Sequence, residues 1–298
     1  MNVRPITPDD FPPIAAFLAE DETELFGRPS RVGVADVAAW LSSPDLSHDT
    51  WLFEEGAGLV ALGWVDKYDD TGIAVGAVHS EWRGRGLGSE LVELTESRLG
   101  ALGAARIHNV TLAPDLAARS LLECRGYREV RRFWEMTIEL GDDVPPDPVL
   151  PDGLRIESFS TELAEAFHAA LEEAFADHWE HRPEPFEVWW QRQLAKPDHD
   201  PSLWFLVRSE ELVVAATRND PERSGGGWIG ALGVRPAWRG RGLAKALLLH
   251  SFREFHRRGE RRVGLGVDSE NATGATQLYE SVGMVTDTEQ VVWEKLLA

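Results

Sequence analysis

Residues 82–93 read WRGRGLGSELVE, and residues 238–249 read WRGRGLAKALLL. The same hexapeptide opens two apolar stretches with helical spacing, Leu87, Leu91 and Leu94 in the first and Leu248, Phe252 and Phe255 in the second. Each copy follows a run of strand character, TGIAVGAVH before the first and GWIGALGV before the second. A strand that passes through a glycine turn into a helix leaves several first-turn N–H groups unbonded at the positive end of the helix dipole. That is an anion site, and its glycines let the backbone approach a pyrophosphate closely. The candidate anion contacts are therefore Arg83, Gly84, Arg85, Gly86 and Gly88, and again Arg239, Gly240, Arg241, Gly242 and Ala244. The spacing fits neither the G-x-x-x-x-G-K-[ST] phosphate loop nor the dinucleotide fingerprint.

Working outward, the two halves repeat one order of patterns. A short strand (VRPI; LRIE) precedes a helical region, then paired strands (TWLFEE and GLVALGWV; LWFLVRS and ELVVAATR), then the motif and its helix. Each half closes with a strand (ARIHNVTL; RRVGLGV), a short helix ending at Gly126 or Gly283, and a last strand (RRFWEMTIEL; TEQVVWEKLL). Between them GDDVPPDPVLPDG, with four prolines and four acids, cannot continue a helix or a central strand. The expected organisation is an α/β chain of two mixed-sheet domains, residues 1–140 and 154–298, joined by a linker at 141–153.

The chain has 298 residues, 43% of them hydrophobic, enough for two cores. No apolar run approaches the roughly 20 residues of a spanning helix, so the expectation is a soluble, cytoplasmic protein with no membrane partner. The one cysteine, Cys124, excludes an internal disulfide framework and is expected as a buried thiol. A formal net charge of −20 would repel a nucleic-acid backbone and favour approach of a cationic small molecule such as an amine. Nothing in the pattern sets an oligomeric state.

The motif R-x-x-G-x-G/A after a strand, followed later by LYE-x-x-G, resembles the coenzyme A signature of the GNAT superfamily of N-acyltransferases, and both halves carry it. The resemblance implies a mixed sheet whose fourth and fifth strands splay apart around the pantetheine arm of an acyl-CoA. It implies backbone contacts from Leu232 and Val234, with Ala77 and Val78 as counterparts, and the cofactor's pyrophosphate on Arg239 to Lys245, Leu243 and Lys245 included, with Arg83 to Ser89, Leu87 and Ser89 included, as the matching positions. It also implies that Tyr279 bonds the CoA sulfur and protonates the departing thiolate, with Asn271 preceding it. The first half has Leu122 and Asp115 at these places, and a leucine donates no proton. Acyl transfer needs an oxyanion donor, for which the Val234 N–H is the candidate. It also needs a base, because an alkylamine of pKa about 10.4 is almost wholly protonated at neutral pH.

For that base the segment DHWEHRPEPFEVWW supplies Asp177, Glu180, Glu184 and Glu187, with Glu180 carried forward. Trp179, Trp189 and Trp190 suit a pocket wall equally with packing on the sheet. Asp177, His178 and His181 lack metal-site spacing, so no metal is expected. The expected activity is N-acyl transfer from acyl-CoA, in particular acetyl-CoA, to a primary amine of a small molecule, catalysed by the second half. Two alternatives stand beside it. LGVRPAWRGRGLAKALLL with LGVDSENATGATQLYESVG is similar to the mycothiol synthases, although HWEHRPEPF and the Trp228, Ile229, Gly230 strand depart from that pattern. The other is a CoA-responsive binding or regulatory protein without turnover.

Overall fold

A computed structural model describes residues 1–56, 58–196, 199–271 and 273–297. The elements alternate as the patterns predict. The first half contains β1 (Asn2–Arg4), α1 (Phe11–Phe26), α2 (Val34–Trp40), β2 (Thr50–Glu55), β3 (Gly58–Tyr68), β4 (Thr71–Val78), α3 (Leu87–Ala101), β5 (Arg106–Leu112), α4 (Leu116–Cys124) and β6 (Arg128–Glu139). The second contains β7 (Leu154–Ser158), α5 (Ala164–Phe175), α6 (Phe186–Leu194), β8 (Phe205–Ser209), β9 (Leu212–Arg223), β10 (Gly226–Val234), α7 (Leu243–Arg257), β11 (Arg262–Asp268), α8 (Ala275–Glu280) and β12 (Val285–Leu296). No helix among the described residues is long and apolar enough to cross a membrane.

Packing divides the chain differently from chain order. One compact unit is Met1–Trp134 with Asp268–Glu270 and Thr288–Ala298, and the other is Glu135–Val267 with Asn271–Asp287. In the first unit the strands run β1-β2-β3-β4-β5-β12. β4 and β5 are parallel, and β12 pairs antiparallel with β5 from Gln290↔Leu112 to Leu296↔Arg106. In the second the order is β7-β8-β9-β10-β11 followed by the end of β6, with β10 and β11 parallel. β12 thus serves mainly the first unit, whereas β6 divides, residues 128–134 in the first and 135–139 in the second. Val291 and Trp293 of β12 are buried with Val65, Leu99, Ile107 and Leu122 of the first unit.

In the second unit Phe205, Val207, Val214 and Ala215 pack against Leu243 and Leu247 of α7. The opposite face of the sheet carries an aromatic group in which Phe167 stacks on Trp204 at 5.6 Å and Phe159 meets Trp204 edge-on at 4.9 Å. Cys124 corrects the sequence expectation. It is exposed at the end of α4, while its neighbours Leu121 and Leu122 take that helix's inward positions.

Close approach of α7 to β10 requires glycine at 227, where a Cβ would stand 2.4 Å from ring carbons of the fully buried Phe255. Gly227→Ala is expected to cost about 1–3 kcal/mol, read as a lowered urea midpoint with unchanged slope.

Candidate active site

β10 passes through the 3-10 turn Pro236–Trp238 into the motif and then α7. Gly240 and Gly242 have φ of +76° and +79°. No atom lies within 4 Å of a Cβ built at either position, so the backbone conformation and not crowding demands glycine. Gly242 caps α7 without a side-chain oxygen, which leaves the first-turn N–H groups for an outside acceptor. Arg239 turns back into the fold, where its Nε donates to the Val234 carbonyl at 3.3 Å and its Nη2 to the Ala174 carbonyl at 2.9 Å. Asp177 stands 3.5 Å from the same guanidinium. Arg241 lies over the Trp238 ring at 4.6 Å. Leu243 is buried and anchors the turn, Ala244 is half-buried and Lys245 is exposed.

Beside this loop the sheet opens. Parallel pairing ends at Ile229↔Leu265, although β10 continues to Val234 and β11 to Asp268. The β9–β10 register slips between Ile229 and Ala231, a bulge that increases local twist. The Arg235 N–H bonds the Val214 carbonyl on the β9 side. Strand alternation therefore turns the amides of Leu232 and Val234 the other way, into the gap. Tyr279, on α8, is buried, and burial alone pushes its hydroxyl pKa up to about 12. The Asn271 side-chain oxygen accepts from the Thr273 N–H at 2.8 Å and hydroxyl at 2.5 Å, closing a local turn before α8.

The first unit repeats the loop. Gly84 and Gly86 have φ of +74° and +93°, and α3 begins at Gly86 without a side-chain cap. Arg83 Nε donates to the Val78 carbonyl at 3.2 Å, and Arg85 lies over Trp82 at 4.5 Å. Parallel pairing of β4 with β5 stops at Ala74↔Asn109. Four features differ. The β3–β4 register is unbroken, from Ala61↔Val78 to Tyr68↔Thr71. Leu122 is buried in the core, and Asp115 caps α4 by accepting from Ala118 N–H at 2.9 Å. A Cβ at Gly88 would stand 3.0 Å from Leu121, which therefore covers the start of α3 beside the half-buried Leu87 neighbour Ser89. Finally, Arg83 Nη2 is ion-paired to the partly buried Asp21, where Arg239 Nη2 meets the Ala174 backbone oxygen and has the exposed Asp177 as its carboxylate neighbour. Burial raises the Asp21 carboxyl to about 6 against the opposing pull of Arg83, with Asp115 and Glu24 adding repulsion.

A cleft of about 240 Å³ opens in the second unit between α5, α6, β9 and β10. His168, Glu172, Phe175, His181, Glu184, Trp189, Arg218 and Ala231 are among its walls. Of the acids expected as bases, Glu184 lines it and Glu180 does not. Glu180 sits five residues beyond the end of α5 with φ +52°, out of phase with that helix's inner face. Trp189 forms wall, whereas Trp190 joins the aromatic group, stacking on Phe186 at 6.3 Å. His168 and Glu172 were missed in the sequence, although their spacing of four on an otherwise apolar helix face was the available signal.

Two copies of an open-sheet, uncapped-helix loop define an acyl-CoA-using fold. The chain belongs to the acetyltransferase (GNAT) family, which matches residues 14–127 and again 163–284, and it is a tandem GNAT N-acetyltransferase. Members of this family take their acyl group from acyl-CoA. The chain is 33% identical over 252 residues to a mycothiol acetyltransferase of Thermobispora bispora, covering 82% of each. It is 30% identical over 255 residues to one of Arthrobacter sp., covering 82% of this chain and 75% of that protein. Among solved structures, a GCN5-related N-acetyltransferase from Sphaerobacter thermophilus superposes with a TM-score of 0.87 at 32% identity, over 99% of this chain and 95% of that one. A tandem GNAT protein from the clavulanic acid biosynthesis pathway shares the fold at TM-score 0.75 and 15% identity, over 99% and 98%.

Asp21 sets a testable pH dependence. An unfolded aspartate titrates near 3.9, whereas the folded one holds its proton to about 6. Between those values the unfolded chain binds fewer protons, so raising pH favours unfolding. Wild type should lose stability relative to Asp21→Asn as pH rises from about 4 to about 6, then run parallel to it. Chemical unfolding across that range checks the sign.

Proposed function

We propose that this chain is an acetyl-CoA-dependent N-acetyltransferase acting on a primary amine of a small molecule, with the C-terminal repeat as its catalytic centre. The observation that carries the assignment to that repeat is Tyr279, a buried residue on α8 whose hydroxyl can donate a proton, against the apolar Leu122 in the first repeat. The bound cosubstrate supplies an activated thioester carbonyl. Around it, the amides of Leu232 and Val234 orient the pantetheine arm, and the Val234 N–H donates to the developing oxyanion. The N–H groups from Gly242 to Lys245, with the Arg241 and Lys245 charges, hold the pyrophosphate. Asn271 fixes the turn into α8, and the Tyr279 hydroxyl donates its proton to the leaving sulfur. The residues present fit such a group, since the two left-handed glycines leave open space where it would lie.

The first repeat acts as a structural partner in this reading. Asp21 already neutralises Arg83, and its carboxylate and that of Asp115 oppose a second anion there. Tyr279→Phe is expected to lower kcat by about 10²–10⁴ while leaving acetyl-CoA affinity near wild type by calorimetry. An unchanged kcat removes the tyrosine from this role.

A second reading, favoured by the mycothiol acetyltransferases at 30% and 33% identity, makes the acceptor the amine that is acetylated in mycothiol. If so, kcat/KM for that amine should exceed the value for glucosamine or phenethylamine by at least about tenfold, the effect of 1.4 kcal/mol in transition-state binding. Equal values for all three count against it.

A further inference from the structure

Amide formation from an ammonium removes two protons from nitrogen, and Tyr279 accounts only for the proton delivered to sulfur. We propose that Glu172, bracketed by His168 and His181 in the α5–α6 cleft, is the base that takes the acceptor's protons, an assignment that rests on the transferase reading of the C-terminal repeat.

The geometry comes from the helix period. α5 carries His168, Leu171, Glu172 and Phe175 at spacings of three and four, so all four share one face, and all four line the cleft with Ala231 of β10. Ala231 directly precedes Leu232, whose amide faces the opened sheet, so the cleft adjoins the strand along which the thioester would lie. His181 Nε2 is 3.3 Å from Glu172 Oε2. His168 Nε2 is 3.6 Å from Glu172 Oε1, too long for a hydrogen bond.

That nitrogen is the second, independent observation. His168 is 6% exposed, and its Nε2 is a buried polar atom with no hydrogen-bond partner. Such an atom costs about 1–3 kcal/mol when unsatisfied, and its residue is a wall of the cleft, so a small rotation of the ring would satisfy it from an acceptor N–H there. Burial also lowers the His168 pKa, which favours the neutral ring. The other charges around Glu172 are Glu184, whose backbone N–H lies 3.4 Å from Oε2, and Glu187 and Arg192 on α6. Arg192 is bound to Glu184, Arg182 lies on the loop before α6, and Arg218 on β9 is paired with Asp220 at 2.8 Å.

The step balances as follows. The ammonium gives one proton to the Glu172 carboxylate, which passes it through His181, the more exposed of the two histidine side chains at 16% against 8%. The freed nitrogen pair forms the C–N bond to the thioester carbonyl carbon, and the C–S bond breaks. Glu172 takes the second nitrogen proton by the same route. The Tyr279 hydroxyl protonates the sulfur and is reprotonated from solvent, so one proton is released per turnover.

The test is acetyl transfer to phenethylamine and to glucosamine, followed by CoA release across pH, with acetyl-CoA binding measured separately by calorimetry. Glu172→Gln should lower kcat/KM for the amine by about 10²–10⁴, abolish the acid limb of the pH profile and bind acetyl-CoA as wild type does. His181→Asn should fall between the two. Glu172→Gln with wild-type rate and acid limb overturns the assignment and leaves the transferase reading standing. Loss of acetyl-CoA binding in the same variant also overturns it, in favour of a structural role. A wild type that binds acetyl-CoA yet acetylates neither amine overturns the assignment together with the small-amine transferase reading beneath it.

Discussion

β10 stays bonded to β9 along its length and yet leaves β11 after Ile229, and its register against β9 slips at Gly230, just where the two parallel strands part. Where the ladder slips, the Thr217 hydroxyl stands 3.0 Å from the Ala231 carbonyl and 2.9 Å from Asn219 Oδ1. Asn219 in turn donates to the Leu203 carbonyl at 2.8 Å and to Ser251 at 3.0 Å. These buried side chains replace bonds that a regular ladder would have made, without which each stranded group would cost about 1–3 kcal/mol. A Cβ at Gly230 would stand 2.6 Å from Arg218 and Asp220, so that ion pair closes directly over the bulge. Arg218 is also a wall of the cleft. One local departure from β geometry thus sets the ion pair that walls the cleft beside the parted strands.

The first repeat shows what the same architecture becomes without that departure. Its β3–β4 register is continuous, Leu121 covers the helix start, and Leu122 contributes about 1.5–3 kcal/mol of apolar burial where Tyr279 carries a hydroxyl. These changes favour stability over chemistry. The placement of β12 explains why such a repeat still matters. Val291 and Trp293 reach their burial only in the core formed by β4, β5, α3 and α4, so the end of the C-terminal half has no core of its own.

Much of this was legible in the sequence, because the motif fixes backbone conformation locally. WRGRGL marks a glycine turn into a helix whose first N–H groups are left free, and both copies have it, with the glycines left-handed in the structure. The asymmetry of Tyr279 and Leu122 was equally plain by alignment of the repeats. Long-range features were not. RRFWEMTIEL and TEQVVWEKLL have the same alternation, so neither reveals which sheet it joins. Asp21 matches Ala174 only through space, since the neighbouring Glu20 and Glu173 meet His79 and Arg235, which precede the two motifs at equivalent places. The acid-rich loop is conspicuous by composition, whereas His168 and the Glu172–Glu173 pair lie within a helix made mostly of alanine, leucine and phenylalanine, where nothing in composition marks them out.

The charge pattern divides the work on an acceptor amine. A net charge of −20 raises the local concentration of the ammonium form, which is the unreactive form, so attraction and activation must be separated in space. At the cleft, a neutral buried His168 disfavours positive charge on its own ring, leaving Glu172 as the anion that meets the ammonium and His181 as the outlet toward water. Removing the proton there, next to Ala231, turns a long-range attraction into a neutral nucleophile at the edge of the opened sheet. Tyr279 faces the opposite requirement, since a hydroxyl that carries its proton can offer it to the sulfur as charge develops there but cannot deprotonate an ammonium without first losing that proton. The two groups therefore cannot exchange roles, and a repeat that lacks either the tyrosine or the α5 carboxylate face lacks one half of the proton balance.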